Sequence, residues 1–224
     1  MQNIANNLVC RWQECERNYD MSIEKKIARI ISVLFHPLLM PSVGLLILFN
    51  SGTYLSLISF DVKKIILLIV ILSTLVFPVT LLLILYFRRL LTDIHMNNRE
   101  ERFLPFLLIL ILYILTFIFM IRLPLHSHLH AYALTLPVLL IVLVIANIKY
   151  KISEHMMGLG GIVGLIISLI ILFDISLQGF FVIAVLAAGI TATARIIIGK
   201  YALLELYGGF VLGLVVTVAV MLIY

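Results

Sequence analysis

The chain has 224 residues, of which 63% are hydrophobic and only 12% charged, and its mean hydropathy is +1.21. Soluble domains carry about a quarter charged residues, so the composition excludes an ordinary water-soluble domain and makes lipid the expected solvent. The formal net charge of +5 does not point to nucleic acid, because the basic residues stand singly or in pairs beside apolar runs, where they set orientation or meet phosphate headgroups.

Residues 1–27 form a polar leader with neither an apolar core nor a small-residue cleavage pattern, so it does not read as a signal peptide and is expected to be flexible. Met21 opens "MSIEKKIARI", a basic amphipathic approach to the first span and a second candidate translation start. The two cysteines, Cys10 and Cys15, both fall in this leader and lack the further ligands of a zinc site. The rest, 28–224, reads as a single transmembrane domain. At about 20 residues per spanning helix it holds six to seven spans. Seven apolar stretches are bounded by charge, glycine or proline: 30–49, interrupted by Pro37 and Pro41, then 65–87, 103–121, 131–148, 156–173, 179–198 and 202–224. Backbone polar groups must be satisfied within hydrocarbon, and the alternation of membrane strands is missing, so the expected fold is all-α, a polytopic transmembrane helical bundle. Gly160 and Gly164, like Gly209 and Gly213, are spaced for close helix approach, and the fifth and seventh spans are expected to pack through them.

Seven crossings bring three polar clusters to one membrane face: "RRLLTDIHMNNREERF" at 88–103, "KYKISEH" at 149–155 and "RIIIGKYALLE" at 195–205. Arg88, Arg89, Lys149 and Lys151 flank spans as snorkelling anchors do. Arg195 and Glu205 have apolar sequence on both sides and are expected to face a shared polar cavity, close enough to interact. Opposite lies "RLPLHSHLH", where an extended backbone puts His126, His128 and His130 on one face, able to hold a transition metal or sense pH. With no carboxylate or cysteine beside them, no metal site is assigned and no cofactor is implied.

Over 97–213 the three clusters resemble a degraded copy of the type 2 phosphatidic acid phosphatase (lipid phosphatase and haloperoxidase) superfamily. Its pattern is a Lys, six residues and Arg-Pro, then Pro-Ser-Gly-His, then Ser-Arg, five residues, His, three residues and Asp. "ARIIIGKYALLELYGGFVLG" aligns with the third part, giving Ala194 at the serine, Arg195 at the arginine, Tyr201 at the histidine and Glu205 at the aspartate. "ISEH" keeps Ser153 and His155 without the proline and glycine; "NREERFLP" offers Arg99, Arg102 and Pro105 without an adjacent Arg-Pro.

The resemblance implies a phosphate cradle from Arg99, Arg102, Ser153 and Arg195, since guanidinium forks match phosphate oxygens, and His155 as donor to a leaving oxygen. It also implies a lost nucleophile, because Tyr201 and Glu205 stand where the family's catalytic histidine and aspartate do. The resulting expectation is a pseudoenzyme-like membrane protein that binds a phosphorylated lipid or isoprenoid headgroup with little or no hydrolysis. An active lipid-phosphate or isoprenoid-pyrophosphate phosphatase using His155, Tyr201 and Glu205 is the first alternative. A small transporter or a partner in a membrane complex is the second. Lys and Arg are concentrated on the clustered side, which positive-inside bias makes cytoplasmic, whereas the resembling family keeps its site on the outer face. The expected location is the bacterial cytoplasmic membrane, with membrane lipids as partners.

Overall fold

The computed structural model describes residues 23–88, 99–199 and 201–224, with side chains for all of these except 86 and 99–104. The leader therefore lies outside the described residues apart from 23–27. Every element described is helical: α1 (Ile23–Leu34), α2 (Met40–Phe49), a short 3-10 helix (Tyr54–Leu57), α3 (Phe60–Ile71), a π-helical segment (Leu72–Val76), α4 (Phe77–Phe87), α5 (Arg99–Ile121), α6 (Ser127–Lys149), α7 (Glu154–Phe173), α8 (Gln178–Ile197) and α9 (Leu203–Ile223). Five helical stretches are long and apolar enough to cross a membrane: Phe60–Leu85, α6, α7, α8 and α9. The apolar stretches Met40–Phe49 and Pro105–Ile121 are shorter.

Two departures from regular helix trace to proline. The stretch expected as one span over 30–49 is instead two short helices joined by a turn at 35–39. Pro37 cannot donate a backbone hydrogen bond, and Pro41 is placed in the first turn of α2, where no donor is needed. In the long second helix, Pro78 cannot donate to the carbonyl of Thr74, and the chain passes through the π-helical turn just before it. Thr74 is fully buried, and its hydroxyl donates to the Val70 carbonyl at 2.8 Å.

Helix α7 is the axis of the bundle. It is apolar on all sides and mostly buried, as a helix surrounded by other helices must be. Its most extensive partner is α9, and it also packs on α8 and α2. The α7–α9 contact is made by the expected glycines. A Cβ added at Gly160 would lie on the Phe210 carbonyl, one at Gly164 on that of Leu214, one at Gly209 on that of Ser153, and one at Gly213 on that of Met157, all closer than the 3.0 Å that real Cβ atoms respect. These pairings run in the same order along both helices, so α7 and α9 are parallel and their N-termini share one end of the bundle. α8 returns between them. Asp174, in the left-handed conformation at φ 49°, closes α7 before that return.

Outward faces carry large apolar side chains: Leu68, Ile84, Ile183, Leu186, Val211 and Val215 are all exposed. Water would disfavour so continuous a surface, whereas hydrocarbon does not. Helix α1 differs. It packs on α8 through Ala28 and Ser32, leaves Ile23, Ile27, Ile30 and Leu34 exposed along one stripe, and carries Glu24, Lys25, Lys26 and Arg29 elsewhere. That distribution suits a helix lying at a membrane interface.

Candidate functional site: a cavity with a cationic mouth

The shared end of α7 and α9 borders a cavity of about 1120 Å³, reached by residues of α1, the 35–39 turn, α2, α4, α5, α6, α7, α8, α9 and Tyr201. Its two ends differ in chemistry. Arg29, Lys151, Glu154, His155, Arg195 and Tyr201 line one end, beside the starts of α7 and α9, which we term the mouth, while Ile109, Leu136, Leu140 and Ile162 line an apolar shaft. Three cations against one carboxylate leave the described mouth with a formal charge of +2. Tyr132 stands at the far end, where its hydroxyl donates to the Pro41 carbonyl at 2.7 Å and its ring lies against Gly44.

Arg195 sits in the last turn of α8 and is only 8% exposed. Its guanidinium carbon lies 4.9 Å from the centre of the Tyr201 ring, and Lys151 Nζ lies 5.0 Å from the same ring. Tyr201 thus acts as a platform for two cations, an interaction of about 0.5–2 kcal/mol each depending on desolvation. Arg195 Nε is buried and has no hydrogen-bond partner among the described residues. A buried donor left without an acceptor is costly in the empty protein, and an anion in the cavity would supply what it lacks.

His155, in the first turn of α7, is buried, and its Nε2 lies 3.1 Å from the Ser32 carbonyl of α1. A carbonyl only accepts, so Nε2 carries the proton and is committed to α1; Nδ1 of the neutral ring is then an acceptor and donates to a ligand only when the ring is an imidazolium. Ser153 precedes α7 as its N-cap residue, but its hydroxyl makes no capping bond, is fully buried and has no partner among the described residues. Its backbone N–H donates to the Glu205 carbonyl at 3.3 Å, tying the starts of α7 and α9 together.

The expected contact between Arg195 and Glu205 is not made. Glu205 does not line the cavity; its carboxylate accepts from the Ala202 N–H at 2.9 Å. That is half of a capping box, which satisfies a donor at the start of α9 and draws the carboxylate back along its own helix. Arg99 and Arg102 fall in the first turn of α5, whose Pro105 borders the cavity, but their side chains lie outside those described.

The mouth also contains residues the sequence did not single out. Lys151 reads as a lipid anchor until Tyr201 is seen beneath it. Arg29, Ser32 and His36 belong to a segment outside the 97–213 region altogether. For Ser32 and His36 the signal was the proline-broken stretch over 30–49, since irregular backbone at membrane depth is tolerated where it lines a cavity.

Comparison with protein-family models, with characterised proteins and with solved structures gives no match for this chain. The site's geometry therefore carries the functional reading.

The histidine turn is not the arrangement an extended backbone would give. His126 is the N-cap residue of α6, and His128 and His130 lie in its first turns, which turns them to different directions. His126 and His128 join Tyr54 and Phe173 in an aromatic cluster with ring centres 4.6 to 6.2 Å apart. Burial raises the Tyr54 phenol above its ordinary pKa. Among the described residues no three His, Cys, Asp or Glu side chains are grouped as a metal ion would require.

Proposed function

We propose that this is an integral membrane protein of about seven spans that binds a phosphorylated lipid or isoprenoid, headgroup at the mouth and chain in the shaft, with little or no hydrolysis. The observation that supports this reading is the polarity gradient within one cavity. Its lining residues on α6 run from Leu143 to Tyr132, a rise of about 16 Å at 1.5 Å per residue. That is about half of a hydrocarbon core some 30 Å thick, the depth one leaflet's lipid occupies. Arg195 and Lys151 supply positive charge where a phosphate would sit, and guanidinium forks bind phosphate oxygens in pairs.

The weak-catalysis part of the proposal rests on the residues available for attack. In the resembling superfamily a histidine attacks phosphorus; here that position is Tyr201, packed against two cations. A phenol needs an activating base, and Glu205, the expected one, is engaged by Ala202. Purified protein is expected to release little or no phosphate from phosphatidic acid or farnesyl diphosphate while binding at least one of them. Robust release that disappears in both His155→Ala and Tyr201→Phe would show an active phosphatase instead.

The proposed membrane is the bacterial cytoplasmic membrane, with the cavity mouth on the cytoplasmic side. In a variant with Cys10 and Cys15 changed to serine, a membrane-impermeant thiol reagent is expected to label Asp174→Cys in intact cells and Lys151→Cys only after lysis. The reverse pattern puts the mouth on the outer face, and labelling of both in intact cells removes the spanning assignment of α7.

A further inference from the structure

The phosphate-binding candidates read from the sequence all lie between 97 and 213, yet the turn between α1 and α2 lines the same cavity as Arg195. His36 lies in that turn and lines the same cavity as His155 and Arg195. Its ring meets that of His155 edge-on, with centres 5.4 Å apart and planes at 74°, and Arg195 acts on it electrostatically. The turn fixes it in place: the His36 N–H donates to Val33, and the His36 carbonyl accepts from Leu39 at 2.9 Å. Its side chain is fixed too, because the Leu38 N–H donates to Nδ1 at 3.3 Å.

That last bond determines the tautomer. A ring nitrogen that accepts from a backbone N–H carries no proton, so the neutral imidazole must hold its proton on Nε2. His155 spends its Nε2 proton on the Ser32 carbonyl, whereas no acceptor among the described residues takes that of His36. We propose that His36 is a ligand-binding residue of this cavity, presenting an Nε2–H donor that, together with Arg195, holds an oxygen of an anionic headgroup. This rests on the phosphorylated-amphiphile reading above and deepens it by adding to the site a segment that the superfamily resemblance does not cover. A neutral donor complements Arg195 physically: it adds a directed hydrogen bond without adding a charge to a mouth that already holds three cations.

The test uses the full chain in nanodiscs, with dioleoyl phosphatidic acid and farnesyl diphosphate as probes. His36→Ala is expected to weaken binding about tenfold, the loss of one hydrogen bond to a charged group, and His36→Gln, which keeps an N–H donor, to recover most of it. Nitrogen-15 spectra of histidine-labelled protein are expected to show His36 as the Nε2–H tautomer, with its Nε2 signal moving when probe is added. Wild-type binding that is lost in Arg195→Ala but unchanged in His36→Ala overturns the role of His36 and leaves the cavity reading standing. Wild-type protein that binds neither probe overturns the cavity reading and this inference with it. Where His36→Ala does not fold, the spectra decide: an Nδ1–H tautomer, or an Nε2 signal that binding leaves in place, refutes the proposal.

Discussion

Replacing Gly213 by valine is expected to force α7 and α9 apart and to lower the thermal unfolding midpoint by about 6–12 °C. An added Cβ would fall on the backbone of Met157 and against the Gly161 nitrogen. Neither obstacle is the end of a flexible side chain, so no rotamer change relieves the clash and the helix axes themselves must separate. Overpacking of this kind costs about 1–3 kcal/mol, and in a protein of this size each kcal/mol moves the midpoint by about 2–4 °C. The upper end applies because α7 and α9 form the most extensive helix–helix contact among the described residues. Gly208→Ala is the matched control. It lies on the same helix, has open space where its Cβ would go, and should keep or slightly raise the midpoint, as alanine favours helix over glycine. Equal midpoints for wild type and Gly213→Val in detergent would remove the glycine contact from the description of what holds the bundle together.

Replacing Arg195 by alanine is expected to weaken binding of a phosphorylated amphiphile by roughly tenfold to a hundredfold while leaving the empty protein as stable as before, or more so. The two halves have one cause. Arg195 is 8% exposed and its Nε has no hydrogen-bond partner among the described residues, so the folded state without ligand holds a buried, unsatisfied donor beside the face of Tyr201. With a phosphate present, the same guanidinium makes charge-assisted bonds worth about 1.5–3 kcal/mol, which converts to that loss of affinity. A structural arginine behaves oppositely, destabilising the protein when removed. Tyr201→Phe keeps the ring beneath both cations and should change affinity less than threefold. The measurement is a binding titration paired with a melting curve on each variant; an Arg195→Ala protein that melts lower and binds as wild type would make the residue part of the scaffold.

The helical periodicity, the glycine spacing and the polar clusters were legible because each is a local pattern with one physical meaning. A four-residue glycine repeat in an apolar helix has little to do but admit another backbone, and Gly160, Gly164, Gly209 and Gly213 do so. The convergence of His155, Arg195 and Tyr201 was legible from span parity. The partners of individual charges were not. Glu205 was matched to Arg195 by the expense of isolated charge, but three residues of spacing to a bare N–H at Ala202 made a nearer alternative. Lys151 and His36 escaped because a lysine at a span's edge and a histidine before a proline each have common structural explanations. Only the cavity, formed by segments more than a hundred residues apart, distinguishes them. The superfamily resemblance rests on a few residues at matching intervals.

The parallel alignment of α7 and α9 has a consequence for how the protein is made. Parallel helices cannot be consecutive, so α8 must cross the bilayer before the glycine face of α7 meets its complement. From Phe173 to Ile223 the ribosome adds about 50 residues, which takes about 3–10 s at 5–20 residues per second. Throughout that interval the central helix is without its main partner. The most extensive contact among the described helices is thus completed only by the last helix to be made.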